Sequence, residues 1–315
     1  MRIFITKPII ESGIEILRSA GHEVNVHQGE KGITKEELYS AAKESDALIT
    51  MLSDKIDEEF LEKNSHLLVI ANYAVGFNNI DIEAAKRLAI PVANTPDVLT
   101  HATAELAFAL LLSSARRITE AHNSIASNNW KGWEPMGFLG QSLANKTLGI
   151  FGAGRIGQSF AKMCQGAFDM DVLYTSRTEK NDFPAKRVSF DELVEKSDII
   201  SVHCDLNATT MGKFNREIFK KMKSSSIFIN TARGEIHNEV DLHWALTHGE
   251  VWGAGLDVTN PEPMSADSPL LKLPNVTITP HIGSATLKAR SEMSDLVATN
   301  ILKGLLKEKL LTPVY

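Results

Sequence analysis

Only two of the 315 residues are cysteine, Cys164 and Cys204, and both stand inside apolar runs. Two such residues make no disulfide framework, so a reducing, cytoplasmic setting is expected. No block of lysine or arginine interrupts the chain, and its formal net charge is −6. Nucleic acid is therefore not an expected partner. No apolar run reaches the roughly eighteen residues that a membrane span needs. The most apolar helical stretch, "ATAELAFALLLSSARR", contains Glu105 and ends in two arginines, which reads as a buried helix or a subunit contact. The opening "MRIFITKPII" reads as a strand and a turn, without the longer apolar core and small-residue cleavage site of a signal peptide. Neither a membrane nor a metal enters this reading.

The chain instead alternates short β-branched runs with longer amphipathic segments, the pattern of α/β folds with parallel sheets. In the first third, "RIFIT", "HEVNVH", "ALIT", "LLVIAN" and "PVAN" are strand candidates, with "KEELYSAAKES" and "DIEAAKRLA" as helices between them. A long helix is expected from about Ala102 to Ser127, followed by the tryptophan-rich loop "NNWKGWEPMGFLG". A second strand and helix series starts at "KTLGIFG" and continues through "DVLYTS", "DIISVHC", "SIFINT", "GAGLDV" and "VTITPH". Ser189 with Glu192 reads as a capping box, and Asn215 as the cap of "REIFKKMK". The last helix, from Ser284 onward, has apolar positions that need a surface to cover. The length suits two cores. The expectation is two doubly wound parallel-sheet units, the first discontinuous: residues 1–98 with 288–315, around an inserted dinucleotide unit of residues 99–287.

"KTLGIFGAGRIGQSFAKMC" places Gly152, Gly154 and Gly157 between a strand and a helix. In such a loop the first glycine permits the tight turn, the second lets the backbone approach a pyrophosphate, and the third allows close helix–strand packing. Amides at the helix start attract phosphate. About twenty residues on, an NAD-binding chain is expected to carry an acid for the ribose hydroxyls. Here "LYTSRT" offers Ser176 and Arg177. Serine removes the repulsion that an acid would exert on a 2′-phosphate, and a guanidinium forms charge-assisted bonds to phosphate oxygens. NADPH is thus favoured over NADH, the other reading being a solvated surface arginine.

Three further segments look misplaced for packing alone: "NTARGE" with Arg233, "NPEP" with Glu262 and "TPHIGSAT" with His281. They follow strand candidates, where open α/β sheets bind ligands. Together they suit reduction of a 2-keto acid. Arginine holds a carboxylate and polarises the adjacent carbonyl, a nicotinamide supplies hydride, and histidine supplies the proton. A free imidazole titrates near ~6.5, so a carboxylate partner such as Glu262 would help keep it protonated. Taken singly, each has a structural alternative: Arg233 in a surface ion pair, Glu262 solvated, His281 capping the last helix.

"NTARGEIHNEVDLHWAL", "GAGLDVTNPEP", "LPNVTITPHIGSAT", "ANYAVGFNNID", "NTPDVLTHATAELAFALLL" and "KTLGIFGAGRIG" resemble, in order and along essentially the whole chain, the signature segments of the D-isomer-specific 2-hydroxyacid dehydrogenase family. The resemblance implies two Rossmann-like domains that close on the active site and a homodimer whose contact segment spans about residues 101–145. It assigns substrate binding to Arg233, the proton donor to His281 and the partner carboxylate to Glu262, with the backbone at Val75 and Gly76 holding the substrate carboxylate. Thr103 and Asp257 would contact the nicotinamide end, Asp257 otherwise reading as a helix-entry cap. Arg155, Ile156, Thr178, His203, Cys204, Thr231 and Gly283 would complete the cofactor site.

Within the family, "TSRT" resembles the NADPH-preferring glyoxylate/hydroxypyruvate reductase branch. Trp133 resembles a residue that reaches across the dimer to narrow the partner's pocket, and Leu52 would line that pocket. Ordinary interface packing is the other reading of both. The chain departs from the family pattern at Asp205, where proline is usual, at His101 and at Asn238, the last of which still suits a helix cap. Two alternatives stay open. One is a reductase of a bulkier 2-keto acid such as 2-ketogluconate or phenylpyruvate, using NADPH or NADH. The other is a nicotinamide-nucleotide sensor of the corepressor kind.

Overall fold

The computed structural model describes residues 1–29 and 32–315, which fall into two compact units, Met1–Leu99 with Ser284–Tyr315, and Thr100–Gly283. The first unit carries β1 (Arg2–Ile5), β2 (Glu23–Val26), β3 (Ala47–Thr50), β4 (Val69–Asn72) and β5 (Val92–Ala93). They form one parallel sheet in the order β2-β1-β3-β4-β5. Helices α1 (Glu11–Ser19), α2 (Lys35–Lys43), α3 (Glu58–Lys63) and α4 (Ile82–Arg87) lie between the strands in sequence. Strands β3 and β4 are buried at every position, as expected of a parallel sheet covered on both faces. Their apolar runs therefore show no alternation.

The C-terminal helix, Leu287–Leu305, completes this unit. Its approach is close. A Cβ on Gly304 would lie 2.4 Å from the Val69 Cβ, and one on Gly13 of α1 would lie 2.3 Å from the Ser294 carbonyl oxygen. Ser294 Oγ donates to the Ile10 carbonyl at 2.6 Å, and Tyr73 donates to the Arg290 carbonyl at 2.6 Å. The unit is thus discontinuous, as the pattern of the last helix required. That helix starts at Leu287 rather than Ser284, capped by Thr286, whose side chain accepts from the Ala289 amide.

The second unit opens with α5 (Thr100–Ala115) and α6 (Ile118–Ala126). The sequence predicts one helix here. The chain breaks at Arg117, in the left-handed region at φ 52°, with its guanidinium held by both oxygens of Glu120 at 2.6 Å. There follow β6 (Thr147–Phe151), α7 (Arg155–Phe168), β7 (Asp171–Thr175), β8 (Lys186–Arg187), α8 (Phe190–Lys196) and β9 (Ile199–Val202). After them come α9 (Arg216–Lys221), β10 (Ile227–Asn230), α10 (Glu239–Thr247), β11 (Gly253–Leu256) and β12 (Val276–Ile278).

The seven strands form a parallel sheet in the order β12-β11-β10-β9-β6-β7-β8. Successive residues of β10 serve opposite faces: Ile227 and Ile229 pack with α5 and α7, Phe228 with α8, α9 and α10. Strand order reverses between β9 and β6, the switch point where such sheets bind nucleotides. Asn215 and Asn238 cap their helices as expected. Ser189 caps α8, but Glu192 pairs with Lys196 and Lys186 instead of closing the expected box. The edge strand β8 lies outside the strands expected, being two exposed charged residues without a pattern. Among the described residues no helix is long and apolar enough to cross a membrane.

Candidate active site

The glycine-rich loop joins β6 to α7 at the switch point. Gly152 sits at φ 102°, and a Cβ there would lie 2.7 Å from the Cys204 amide nitrogen. A Cβ on Gly157 would lie 2.5 Å from the Gly152 carbonyl oxygen, which fixes the helix close to the turn. Around Gly154 there is open space: an added Cβ would meet nothing within 4 Å. Two glycines thus serve packing, and the third leaves room for a ligand beside the start of α7, where Arg155 is exposed and Ile156 half-buried. This is the cradle a dinucleotide pyrophosphate needs.

On the far side of the loop, His203 places Nε2 2.8 Å from Ser201 Oγ and Nδ1 3.5 Å from Thr231 Oγ1. Burial pushes its pKa down to about 3, so the ring is neutral. Burial, reinforced by the charge of Asp205, pushes the Cys204 thiol up to about 12. Both residues therefore line the cradle without titrating near neutrality. At the end of β7, Arg187 donates to the carbonyls of Ser176 and Arg177 at 3.0 and 3.3 Å, and Lys180 donates to Thr178 Oγ1 at 3.0 Å. The Arg177 guanidinium points to Asp205, 3.3 Å away.

Arg233 follows β10. The strand's last residue, Asn230, is fully buried, and its amide donates to the Arg233 carbonyl at 2.8 Å and to His237 Nδ1 at 3.0 Å. Its Oδ1 accepts from the Ala232 amide at 2.9 Å. Burial pushes His237 down to about 4, so a neutral ring accepts that bond. A Cβ on Gly234 would strike the Thr259 carbonyl oxygen at 2.0 Å, so the Arg233 loop is seated directly on the segment that leads to Glu262. Burial draws the Arg233 pKa down, against the charges of Glu262, Glu235 and Asp205. A guanidinium remains charged under such a shift.

The third group is built around Asp257, buried just past β11. Its carboxylate accepts from Thr279 Oγ1 at 2.6 Å and from the amides of Ile282 and Gly283 at 2.8 Å each. Burial raises its pKa, with those bonds and His281 opposing. The Asp257 carbonyl also accepts from the His281 amide at 2.9 Å. His281 is thus pinned from both sides in a left-handed conformation, φ 53°, and its Nδ1 meets Glu262 Oε1 at 2.5 Å. Burial raises the Glu262 pKa, but the hydrogen bond and charge of His281, helped by Arg233, outweigh it and hold the carboxyl below its ordinary value. Neither helix-cap alternative survives: Thr286 caps the last helix, and Asp257 anchors a turn. Thr103 of α5 reaches the same spot, 3.2 Å from where a Gly283 Cβ would stand.

Leu52, Val75 and Gly76 belong to the first unit. The Val75 carbonyl accepts from Asn94 at 2.8 Å and the Gly76 carbonyl from Asn72 at 2.9 Å. Among the described residues their own amides have no acceptor. Asn79 donates to the carbonyls of Met51 and Asp54 at 3.0 Å and exchanges bonds with Asn72, tying the turn of Leu52 to the loop of Val75. Sequence reasoning missed Asn72, Asn79 and Asn230. An asparagine closing a wholly apolar strand, as in "LLVIAN" and "SIFINT", was the available signal. Trp133 is 86% exposed. His101 lies 3.3 Å from Ser159 Oγ, which explains nothing about its departure from the family pattern.

Comparison with known proteins agrees with this geometry. The family model for the D-isomer specific 2-hydroxyacid dehydrogenase NAD binding domain matches residues 108–283. The glyoxylate reductase of Pyrococcus furiosus is 44% identical over 309 residues, covering 96% of this chain and 91% of its own length. The crystal structure of the TT0316 protein of Thermus thermophilus superposes with a TM-score of 0.95 at 41% identity, covering 100% of both chains. That of the NADPH-dependent glyoxylate/hydroxypyruvate reductase of Sinorhizobium meliloti, in complex with NADP and malonate, gives 0.86 at 29% identity, covering 99% of this chain and 96% of its own. With a nucleotide cradle at the switch point and a pinned histidine–glutamate pair beyond it, the chain belongs to the D-isomer specific 2-hydroxyacid dehydrogenase family, in its glyoxylate/hydroxypyruvate reductase branch, and is an NAD(P)-dependent oxidoreductase.

Proposed function

We propose that the protein reduces glyoxylate and hydroxypyruvate to their 2-hydroxy acids, with NADPH preferred to NADH. The observation that carries this reading is the His281–Glu262 pair at 2.5 Å, held by Asp257 from one side and by the proline-braced Glu262 loop from the other. When bound, the nicotinamide supplies hydride to the keto carbon. Arg233 holds the substrate carboxylate and draws electron density from the carbonyl. Protonated His281 gives its Nε2 proton to the carbonyl oxygen as charge builds there. Glu262 keeps its negative charge throughout, so the imidazolium is stabilised before transfer and is restored afterwards by a proton from solvent water. Asp257 and Thr103 hold the carboxamide end of the cofactor.

Ser176 and Arg177 support the NADPH preference, because no acid stands at the end of β7 to refuse a 2′-phosphate. Trp133 of a second copy keeps the pocket small. That role needs a homodimer, and the exposed apolar residues Ile118, Ile125, Trp130, Trp133, Met136, Phe138 and Leu139 support one. The test is initial rates with glyoxylate and hydroxypyruvate, each with NADPH and NADH. Faster saturation by NADPH, lost in Arg177→Ala, is expected. Equal use of both cofactors by the native protein would refute the preference. Absence of turnover with either acid would refute the substrate and turn attention to bulkier keto acids and to a sensor.

A further inference from the structure

Asp205 stands in the loop after β9, and three observations place it at the cofactor site. Its neighbour Cys204 lies against the glycine-rich turn, with the amide nitrogen 2.7 Å from where a Gly152 Cβ would stand. Its own backbone is fixed: the Asp205 carbonyl accepts from Thr210 Oγ1 at 2.7 Å and from Asn207 Nδ2 at 3.4 Å. Its carboxylate reaches the Arg177 guanidinium at 3.3 Å. Across from it, Arg187 clamps the carbonyls of Ser176 and Arg177, so the backbone beneath Arg177 is held as well. Two anchored loops thus bring one acid to the cation of "TSRT".

We infer that Asp205 is a cofactor-specificity residue that occupies the Arg177 guanidinium in competition with the 2′-phosphate of NADPH. This rests on the reading of Arg177 as the phosphate partner. A phosphate arriving at Arg177 must displace the carboxylate and then remain beside it. A ribose hydroxyl carries no charge and meets neither cost. Asp205 therefore weakens NADPH selectively and narrows the gap between the two cofactors. Both side chains are largely exposed, at 87% and 79%, so the pair is weak and screened by salt. It moderates the preference and does not reverse it.

The test is binding to the full-length protein, followed by calorimetry, with NADPH, NADH, adenosine 2′,5′-bisphosphate and 5′-AMP. The proteins are the native chain, Asp205→Asn, Arg177→Ala and the double variant. Asp205→Asn is expected to tighten the two 2′-phosphorylated ligands by about threefold at low salt, the scale of an exposed ion pair. The other two ligands should stay unchanged, and the gain should shrink at high salt and vanish in the Arg177→Ala background. No tightening, or equal tightening of all four ligands, overturns the role of Asp205 while leaving Arg177 as the grip. If Arg177→Ala itself leaves the discrimination intact, the grip reading falls first, and the competition with it.

Discussion

His281 combines a left-handed backbone, two hydrogen bonds to the Asp257 unit and a carboxylate at Nδ1. Histidine tolerates that conformation better than most side chains, and the bonds from its amide to the Asp257 and Thr279 carbonyls fix it there. His281→Asn should lower kcat by about 10²- to 10⁴-fold, the usual contribution of a positioned acid, with the Kd of NADPH held within about twofold. Glu262 supplies the pH signature. Its folded pKa lies below the ordinary carboxylate value, so its charge and the stability of the pair are present above the unfolded value. Both are lost as pH falls through the depressed folded one. In Glu262→Gln the imidazolium loses its counter-charge, so the alkaline limb of reductive kcat/KM should move toward lower pH. An unmoved limb would show that Glu262 only shapes the loop. Arg233, Glu262 and His281 stood out in the sequence as ionisable groups among apolar strands and proline turns, and the family resemblance supplied the roles proposed for them. Asn79 did not, because it acts by bonding the Met51 and Asp54 carbonyls, which only the fold brings near; Asn230 carried a signal, the asparagine that closes an apolar strand, that went unread.

Elements were legible wherever a local rule governs them. Asn215 and Asn238 cap their helices, since a side-chain oxygen one turn from an amide needs no tertiary help. The break between α5 and α6 was not legible: "SSARRITE" holds neither glycine nor proline, and the kink is fixed by Arg117 with Glu120 and by Ser113 and Thr119 meeting Thr277 of β12. Two glycines test the helix packing in opposite directions. Gly304→Ala forces a Cβ to within 2.4 Å of Val69 and should destabilise the protein by about 1–3 kcal/mol, the usual cost of overpacking. Gly166 lies in α7 with nothing within 4 Å of an added Cβ, so Gly166→Ala should stabilise by about 0.5–1 kcal/mol. Urea denaturation of both variants checks the pair. A neutral Gly304→Ala would mean that the C-terminal helix does not seal the first unit as described.

At the scale of the whole molecule, α6 has no buried residue, and the loop after it exposes Trp130, Trp133, Met136, Phe138 and Leu139. An apolar stretch of that extent marks an interaction surface, and an isologous dimer is the commonest way to cover one. Sedimentation of the native protein should give a dimer, and Ile118→Glu with Ile125→Glu should shift it toward monomer. A native monomer would remove Trp133 from any pocket. The two parallel sheets, the discontinuous first unit and the glycine-rich turn between β6 and α7 were readable from the sequence alone. These follow from periodicity and glycine geometry, which are properties of neighbours along the chain, whereas the roles proposed for Arg233, Glu262 and His281 rest on the family resemblance. That Asp257 pins His281, that Asn230 sets the Arg233 loop, that the chain turns at Arg117 and that Asp205 meets Arg177 became visible in the folded molecule alone. These depend on groups 3 to 164 residues apart, and the long-range pairs among them meet only in the folded chain.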